Sequence, residues 1–220
     1  MRINTALVAS FAGLVSLSQA ALIRGDATFT GNNLNGGTCS FVNYTLPAGV
    51  SGVGIGPPNW ANGTKCGACL QVNGPRGSVK VMVTDSCPSC AQNRLNLYEE
   101  AFRQIANPND GIANVEFDIV NCGINSQLWS RMEAYEFVNS FSMQVMNANY
   151  PVTALHVSTD GGNRWEATVR RDYNYFERES SGGFNQDRVL VRVSCSNGRQ
   201  VILPNVSMEE YAESRAPANC

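Results

Sequence analysis

The segment Ser78-Val-Lys-Val-Met-Val-Thr84 gives the clearest indication of the fold class. Valine stands at every second position, so Val79, Val81 and Val83 would share one face of a β-strand. Val115-Glu-Phe-Asp-Ile119 alternates in a similar way. The surrounding residues, 25 to about 123, are rich in Gly and Asn, which favour turns. We therefore predict that the first part of the chain is a mainly β domain.

One helix is predicted between these two strands. Four apolar residues would fall on one helical face: Leu97, Ala101, Phe102 and Ile105. Asn96 is followed three residues later by Glu99, which fits a capping box, so the helix is expected to start there. Pro108 and Gly111 are expected to end it.

A second all-β domain is predicted from about residue 131 onward. Three stretches are predicted as strands: Ser142-Met-Gln-Val-Met-Asn147, Thr153-Ala-Leu-His-Val157 and Arg188-Val-Leu-Val-Arg-Val193. Turn residues such as Asp160-Gly-Gly-Asn163 separate them, and several short strands without helices indicate a β-sandwich. We therefore divide the chain into residues 1–20, 21–128 and 131–220, with no long linker between the two domains.

The first twenty residues have the pattern of a secretory signal peptide. Arg2 precedes an apolar run from Ala6 to Leu17, and Ser18-Gln-Ala20 resembles a small-residue cleavage site. The apolar run is too short to span a bilayer, so a membrane anchor is disfavoured. We expect cleavage after Ala20 and a secreted protein, located outside the cell or in the cell wall.

The eight cysteines fit an extracellular protein. They are Cys39, Cys66, Cys69, Cys87, Cys90, Cys122, Cys195 and Cys220. The CxxC pairs 66–69 and 87–90 also have the spacing of zinc ligands. Behind a signal peptide, an even number of cysteines favours disulfides, and the single histidine, His156, lies far from both pairs in the sequence. We therefore expect disulfide bonds, no metal and no cofactor.

The charge pattern excludes several classes of partner. The formal net charge is −2 and there is no basic cluster, so neither nucleic acid nor an anionic membrane is an expected partner. An acidic polysaccharide is disfavoured for the same electrostatic reason, and a monomer is the default expectation. Three sequons, which begin at Asn43, Asn62 and Asn205, could carry N-glycans if the host glycosylates secreted proteins.

The order of several short motifs resembles that of expansins. The motifs are Gly25-Asp-Ala-Thr-Phe-Thr30, Gly36-Gly-Thr-Cys39, Cys66-Gly-Ala-Cys69, Val83-Thr-Asp-Ser-Cys-Pro88, Leu95-Asn-Leu97, Tyr150-Pro-Val152, Gly162-Asn-Arg-Trp165 and Asp172-Tyr-Asn-Tyr-Phe176. The resemblance implies a six-stranded double-psi β-barrel, as in related endoglucanases and lytic transglycosylases. A cellulose-binding, immunoglobulin-like β-sandwich would follow it. The resemblance further implies disulfides Cys39–Cys66, Cys69–Cys122, Cys87–Cys90 and Cys195–Cys220.

The resemblance also implies a polysaccharide groove on the barrel. Thr30 and Asp85 match the groove threonine and aspartate of expansins, whereas Asn96 stands where the family has an acid. An amide releases no proton near neutral pH, so Asn96 cannot be the general acid of glycoside hydrolysis. It can cap the helix, which is the preferred explanation, and also hydrogen-bond a sugar hydroxyl. For Asp85, groove binding and local turn bonding remain equally open, and Thr30 could be an ordinary strand hydroxyl.

Three other acids are candidate proton donors for the groove: Glu99, Glu100 and Asp110. The two glutamates are explained more simply as favourable charges in the first helical turn.

The aromatic residues that would stack on sugar rings are depleted. The two tryptophan positions that the resemblance implies on the sandwich fall on Asn139 and Ser140, and the family's tyrosine is Tyr173. Phe141 and Phe137 are candidate replacements, although the counted register turns Phe141 to the other sheet face. We therefore expect weak or altered polysaccharide binding.

Three functions follow from these patterns. The preferred one is a non-hydrolytic, expansin-like protein that binds and loosens cell-wall polysaccharide, such as cellulose, another glucan or chitin. The second is a glycoside hydrolase or lytic transglycosylase, which the asparagine at position 96 disfavours. The third is a secreted effector or inhibitor that uses the barrel as a protein-binding scaffold.

Overall fold

This computed structural model describes residues 22–133, 140–180 and 182–220, which are mainly β. The strands are β1 (Ile23–Thr30), β2 (Ser51–Ile55), β3 (Cys69–Gly74), β4 (Gly77–Ser86), β5 (Arg94–Tyr98), β6 (Ala113–Val120), β7 (Trp129–Met132), β8 (Ser142–Met146), β9 (Val152–Ser158), β10 (Glu166–Ala167), β11 (Val169–Arg170), β12 (Phe176–Glu177), β13 (Arg188–Cys195), β14 (Gln200–Ser207) and β15 (Glu213–Arg215). The helix α1 spans Glu99–Ile105, and Pro108–Asp110 forms a 3₁₀ turn. Neither helical segment of this described part is long and apolar enough to cross a membrane.

The first six strands close into a barrel in the order β1-β5-β2-β4-β3-β6. Two of the pairings are parallel, β1 with β5 and β2 with β4. The valines at alternating positions of β4 point into the barrel, where Val81 and Val83 are fully buried beside Leu95 and Leu97 of β5. The six-stranded barrel predicted for this part of the chain is confirmed.

The predicted start of the helix is wrong. Asn96 lies within β5, and α1 starts only at Glu99, after an N-cap residue, Tyr98, whose side chain makes no capping bond. The reason is tertiary: β5 is paired on both sides, so Asn96 lies opposite Thr28 on β1 and Gly54 on β2. Sheet pairing overrides the local capping pattern. The helix ends at Ile105, before Pro108, whereas Gly111 adopts a left-handed conformation and ends the separate 3₁₀ turn.

The second half of the chain forms two sheets. One has the order β10-β9-β13-β14 and the other β11-β12-β8-β7-β15. Their facing sides share an apolar core to which every second residue of β13 contributes, including Val189, Val191 and Val193. The predicted β-sandwich is confirmed. Its first strand, β7, starts at Trp129.

All eight cysteines lie within the described residues, and all form disulfides. The pairs are Cys39–Cys66, Cys69–Cys122, Cys87–Cys90 and Cys195–Cys220. These are the four pairs that the resemblance implied. The sulfur atoms of both CxxC motifs are therefore bonded to other sulfurs, and the described residues contain no cluster of His, Cys, Asp and Glu arranged to hold a metal ion.

Candidate functional site

A row of residues across four neighbouring strands brings two predicted groove residues together. The register places Thr28 opposite Asn96, Asn96 opposite Gly54, and Gly54 opposite Asp85. A Cβ atom added to Gly54 would lie 3.7 Å from the Cβ of Asp85 and 3.8 Å from that of Asn96. Asp85 and Asn96 therefore project on the same side, one on each flank of a glycine. Between them lies the floor of the candidate groove, the buried backbone of Gly54, which carries no side chain.

A register shift on β4 turns Asp85 toward this floor. Val53 pairs with Val83, but the next residue of β2, Gly54, pairs with Asp85, so Thr84 is an extra residue on β4. Strict alternation would have left Asp85 on the inner face with Val83. Such irregularities commonly redirect a side chain beside a functional site. The valine pattern of the sequence contains no signal for this shift.

The carboxylate of Asp85 holds the loop that follows β1. Its Oδ1 accepts hydrogen bonds from the backbone N of Thr38 (2.7 Å), the hydroxyl of Thr38 (2.8 Å) and the backbone N of Ser86 (2.8 Å). Its Oδ2 accepts one longer bond, 3.3 Å, from the side-chain amide of Asn33. The local bonding considered for Asp85 is therefore present. Oδ2 keeps capacity to accept another hydrogen bond.

Asn96 presents an amide rather than an acid beside Asp85. Its Oδ1 accepts a hydrogen bond from the hydroxyl of Thr28 at 3.2 Å. Its Nδ2 makes no hydrogen bond to any described residue, so two N–H donors remain for a ligand. Thr30 follows Thr28 by two positions on β1 and is exposed, so both hydroxyls belong to the same face of the strand.

Tyr98 lies beside this row, on the same outer face of β5 as Asn96, but is covered by its neighbours. Its side chain is 2% exposed, and its ring lies against Gly52, where an added Cβ would be 2.2 Å from ring atoms. The hydroxyls of Tyr98 and Thr84 are 3.1 Å apart. Burial is the main cause that raises the pKa of Tyr98. Tyr98 thus holds the extra residue of β4 in place and is neutral at physiological pH.

The other acids considered as proton donors have different partners. Glu99 forms an ion pair with Arg103 one helical turn away, and Glu100 accepts a hydrogen bond from the hydroxyl of Ser51 at 3.0 Å. Both glutamates occupy the first turn of α1, where negative charge is favourable. Asp110 lies in the separate 3₁₀ turn after the helix.

On the sandwich, Tyr173 is exposed and Phe141 is not. Tyr173 is 39% exposed, and its hydroxyl donates a hydrogen bond to Glu177. Burial of the hydroxyl and this carboxylate raise the pKa of Tyr173 to about 12. Phe141 is only 3% exposed and packs edge-on against Phe184, with ring centroids 5.0 Å apart. The proposal that Phe141 replaces a sugar-stacking tryptophan is therefore wrong, because the side chain belongs to the core.

Two further tyrosines lie beside Tyr173 in one depression of about 700 Å³. The rings of Tyr173 and Tyr175 are 6.0 Å apart, and Tyr211 is 64% exposed. The sequence offered a signal for Tyr175, since it precedes the buried Phe176 and must face outward. It offered none for Tyr211, which reaches the site only because β15 pairs with β7.

The depression lies between the sandwich and the barrel. Val42 and Asn43 of the barrel form part of its lining, and they follow directly on the loop that Asp85 holds. Ser140 also lines it, while Asn139 and Phe137 lie outside the described residues. The segment 38–43 thus runs from the residue that bonds Asp85 to the lining of the depression.

The three sequon asparagines are all exposed on this structure: Asn43, Asn62 and Asn205. Accessibility is what glycosylation requires, and the modification itself stays a prediction.

Comparison with known proteins places this architecture among expansins. A family model of the double-psi β-barrel, described as lytic transglycolase, matches residues 55–117. Expansin-YoaJ of Bacillus subtilis is 30% identical over 96% of this chain and 94% of its own length. Expansin-like protein 5 of Dictyostelium discoideum is 24% identical over 86% of this chain and 87% of its own.

Solved structures agree. A mutant Clavibacter michiganensis expansin, crystallised in complex with cellohexaose, superposes with a TM-score of 0.79 at 28% identity. The match covers 90% of this chain and 98% of that one. The unliganded Clavibacter expansin gives the same TM-score at 27% identity.

Proposed function

Because this chain belongs to the expansin family, we propose that it is a secreted protein that binds uncharged cell-wall polysaccharide and loosens it without hydrolysis. In this proposal, residues 1–20 direct secretion and are removed. The domain 21–128 provides the groove, and the domain 131–220 provides the tyrosine-lined depression. The observation that carries the proposal is the row in which Asn96 and Asp85 flank the bare backbone of Gly54.

The groove chemistry suits binding of a neutral sugar chain. A pyranose lying on Gly54 would receive hydrogen bonds from the free N–H groups of Asn96 and donate one to Oδ2 of Asp85. The hydroxyls of Thr28 and Thr30 extend the same polar face along β1. These contacts would replace hydrogen bonds that the sugar chain otherwise makes to its neighbours in the wall. Loosening would follow from that exchange, with no covalent bond broken.

The same groove is poorly suited to hydrolysis. Cleavage of a glycosidic bond ordinarily needs one carboxylic acid to protonate the leaving oxygen and a second carboxylate as base or nucleophile. Asn96 has no proton to supply, and the Oδ1 of Asp85 is already committed to three hydrogen bonds. The related Clavibacter expansin in complex with cellohexaose is itself a mutant.

The tyrosine depression would supply apolar contact with the sugar rings. Tyr173, Tyr175 and Tyr211 together replace the two tryptophans that the sequence lacks at the expected positions. If each ring contributes about 1 kcal/mol, its removal should weaken binding roughly fivefold. Binding should therefore be measurable although both tryptophans are lacking.

Retention on insoluble polysaccharide tests this function. The full-length protein is incubated with cellulose and with chitin, and the bound fraction and the release of reducing sugar are measured together. We expect retention on at least one polymer without sugar release. Tyr173→Ala and Tyr211→Ala should each reduce retention. Ile202→Ala, an exposed apolar residue outside the depression, should not. Absence of retention on both polymers, or sugar release above the blank, would contradict the proposal.

A further inference from the structure

The disulfide Cys39–Cys66 lies where the barrel meets the sandwich, and its backbone carbonyls accept hydrogen bonds from sandwich side chains. The carbonyl of Cys39 accepts from Nε2 of Gln144 at 2.9 Å and from Nδ2 of Asn174 at 3.1 Å. Gln144 and Asn174 are 0% and 2% exposed, respectively. The disulfide links the two loop segments that carry these acceptor carbonyls. The contact between the two halves of the protein is therefore polar, buried and directional.

Arg170 donates to both halves at once. Its guanidinium donates to the carbonyl of Val152 in the sandwich at 2.7 Å. On the barrel it donates to the carbonyls of Thr64 (3.4 Å) and Cys66 (3.5 Å). It also lies over the ring of Phe176, 5.1 Å from the centroid. No carboxylate among the described residues pairs with it, and burial lowers the pKa of Arg170 to about 10. Near neutral pH it thus remains a partly buried cation held by carbonyl oxygens.

The same guanidinium clamps the turn that carries Tyr173. Arg170 donates to Oδ1 of Asn174 at 2.5 Å, and the backbone N of Asn174 donates to the carbonyl of Arg171 at 3.1 Å. Because Asn174 also bonds Cys39, the turn is tied to the barrel on one side and to Arg170 on the other. Tyr173 directly precedes Asn174, which makes both of these contacts.

Main-chain packing at the same place leaves little room for another orientation of the barrel relative to the sandwich. Gly63 of the barrel is buried, and a Cβ added to it would lie only 2.5 Å from the carbonyl oxygen of Asp172. The turn that carries Tyr173 therefore rests directly on a barrel glycine. A buried cation without a counter-ion contributes little to stability by itself. Such a group can instead favour one relative orientation of the two domains.

We propose that Arg170 is a positioning residue that holds the tyrosine depression in line with the barrel groove, so that both form one preformed surface for a long neutral polysaccharide. The inference rests on the proposed function for its biological meaning. Arg170 does not line the depression and makes no sugar contact. Its effect passes through Asn174 to the turn that carries Tyr173, and through Cys66 to the barrel. The gain comes from multivalency, since a chain already bound in the groove meets the tyrosines at high effective concentration.

Three full-length variants test this role. Arg170→Met keeps the apolar stem over Phe176 and removes every donor. Gly63→Ala disturbs the same contact from the barrel side, both through the added Cβ and because alanine is strained at the φ of +76° that Gly63 adopts, and it remains informative if the first variant fails to fold. Arg188→Met is the matched control, because Arg188 is exposed and its side chain donates to the carbonyl of Asn205 within the sandwich, with no bond to the barrel among the described residues. Residual dipolar couplings, measured without polysaccharide, report the relative orientation of the two halves. Affinities for cellobiose and insoluble cellulose report its consequence.

For Arg170→Met and Gly63→Ala we expect couplings that fit each half separately but no longer fit one common orientation. Cellulose affinity should fall about tenfold or more, while cellobiose affinity is unchanged, and Arg188→Met should match the wild type in both. Couplings that still fit the wild-type orientation in both variants would overturn the inference, as would equal losses for cellobiose and cellulose. If the wild type binds neither sugar, the proposed function fails, and the couplings alone still decide the role of Arg170.

Discussion

Gly54→Ala should make the protein no less stable while it weakens polysaccharide binding. The added Cβ would have its nearest contacts at 3.5 Å to the carbonyl oxygen of Ser86, 3.7 Å to Asp85 and 3.8 Å to Asn96. These are ordinary van der Waals distances, and Gly54 is not in a left-handed conformation. The folded state therefore accepts the methyl group without strain. The unfolded chain loses freedom, which stabilises the fold by about 0.4–1 kcal/mol.

Binding should change in the opposite direction. The methyl group occupies the floor on which we place the sugar ring, and it would lift the ring away from Nδ2 of Asn96 and Oδ2 of Asp85. If two hydrogen bonds are weakened at about 1 kcal/mol each, the dissociation constant rises on the order of ten- to thirtyfold. Thermal unfolding without ligand and calorimetric titration with cellohexaose measure the two effects on one sample.

Gly52→Ala is the matched control on the same strand. There the added Cβ would lie 2.2 Å from the ring of Tyr98, so overpacking should cost about 1–3 kcal/mol of stability. The ring covers Gly52, and the methyl group has no access to a ligand. Unchanged cellohexaose affinity in Gly54→Ala would refute the placement of the sugar on this floor. A loss of stability as large as that of Gly52→Ala would refute the claim that the fold accepts a methyl group at Gly54 without strain.

Three further changes have defined outcomes. Asn96→Asp removes both N–H donors that we assign to the sugar and places a second carboxylate beside Asp85, so cellohexaose affinity should fall without sugar release; unchanged affinity would mean that residue 96 makes no sugar contact. The hydrogen bond from Arg94 lowers the pKa of Asp26 in the fold, so this carboxylate stabilises the protein above about pH 4 and stops doing so as the pH falls through its lowered folded pKa. Asp26→Asn should therefore reduce the melting temperature more at pH 7 than at pH 2, and an equal reduction at both would contradict the assignment. Tyr98→Phe removes the bond to Thr84 and should lower the free energy of unfolding by about 1 kcal/mol, measured in denaturant; no loss would show that this hydroxyl pair is not stabilising.

The strands with a clear period of two were predictable from the sequence. Alternating valines located β4 and β13, and the fold of both parts followed from the resemblance of ordered motifs. Two-residue strands such as Glu166–Ala167 and Val169–Arg170 are too short to show an alternating pattern, so the sequence does not predict them. Each forms only by pairing with a strand elsewhere in the chain, Glu166–Ala167 with β9 and Val169–Arg170 with β12.

The geometry of the site was less predictable than its residues. Asn96 was assigned to a helix cap because its local sequence fits one, but pairing with strands distant in sequence decided its position. Asp85 reaches the groove through an extra residue on β4, Thr84, that no alternation reveals. Tyr211 joins the depression through the pairing of β15 with β7. Each of these outcomes depends on long-range register, which a local reading of sequence does not contain.

Titration of the isotope-labelled protein with cellohexaose, followed by NMR, tests most directly whether the groove and the depression form one polysaccharide-binding site. The account predicts backbone amide shifts at Gly54 and Asn96, together with shifts around Tyr173 and Tyr211, at the same ligand concentrations. The sugar should remain intact throughout. No shift at millimolar ligand, shifts confined to the opposite sheet around Ile202, or cleavage of the cellohexaose would contradict it.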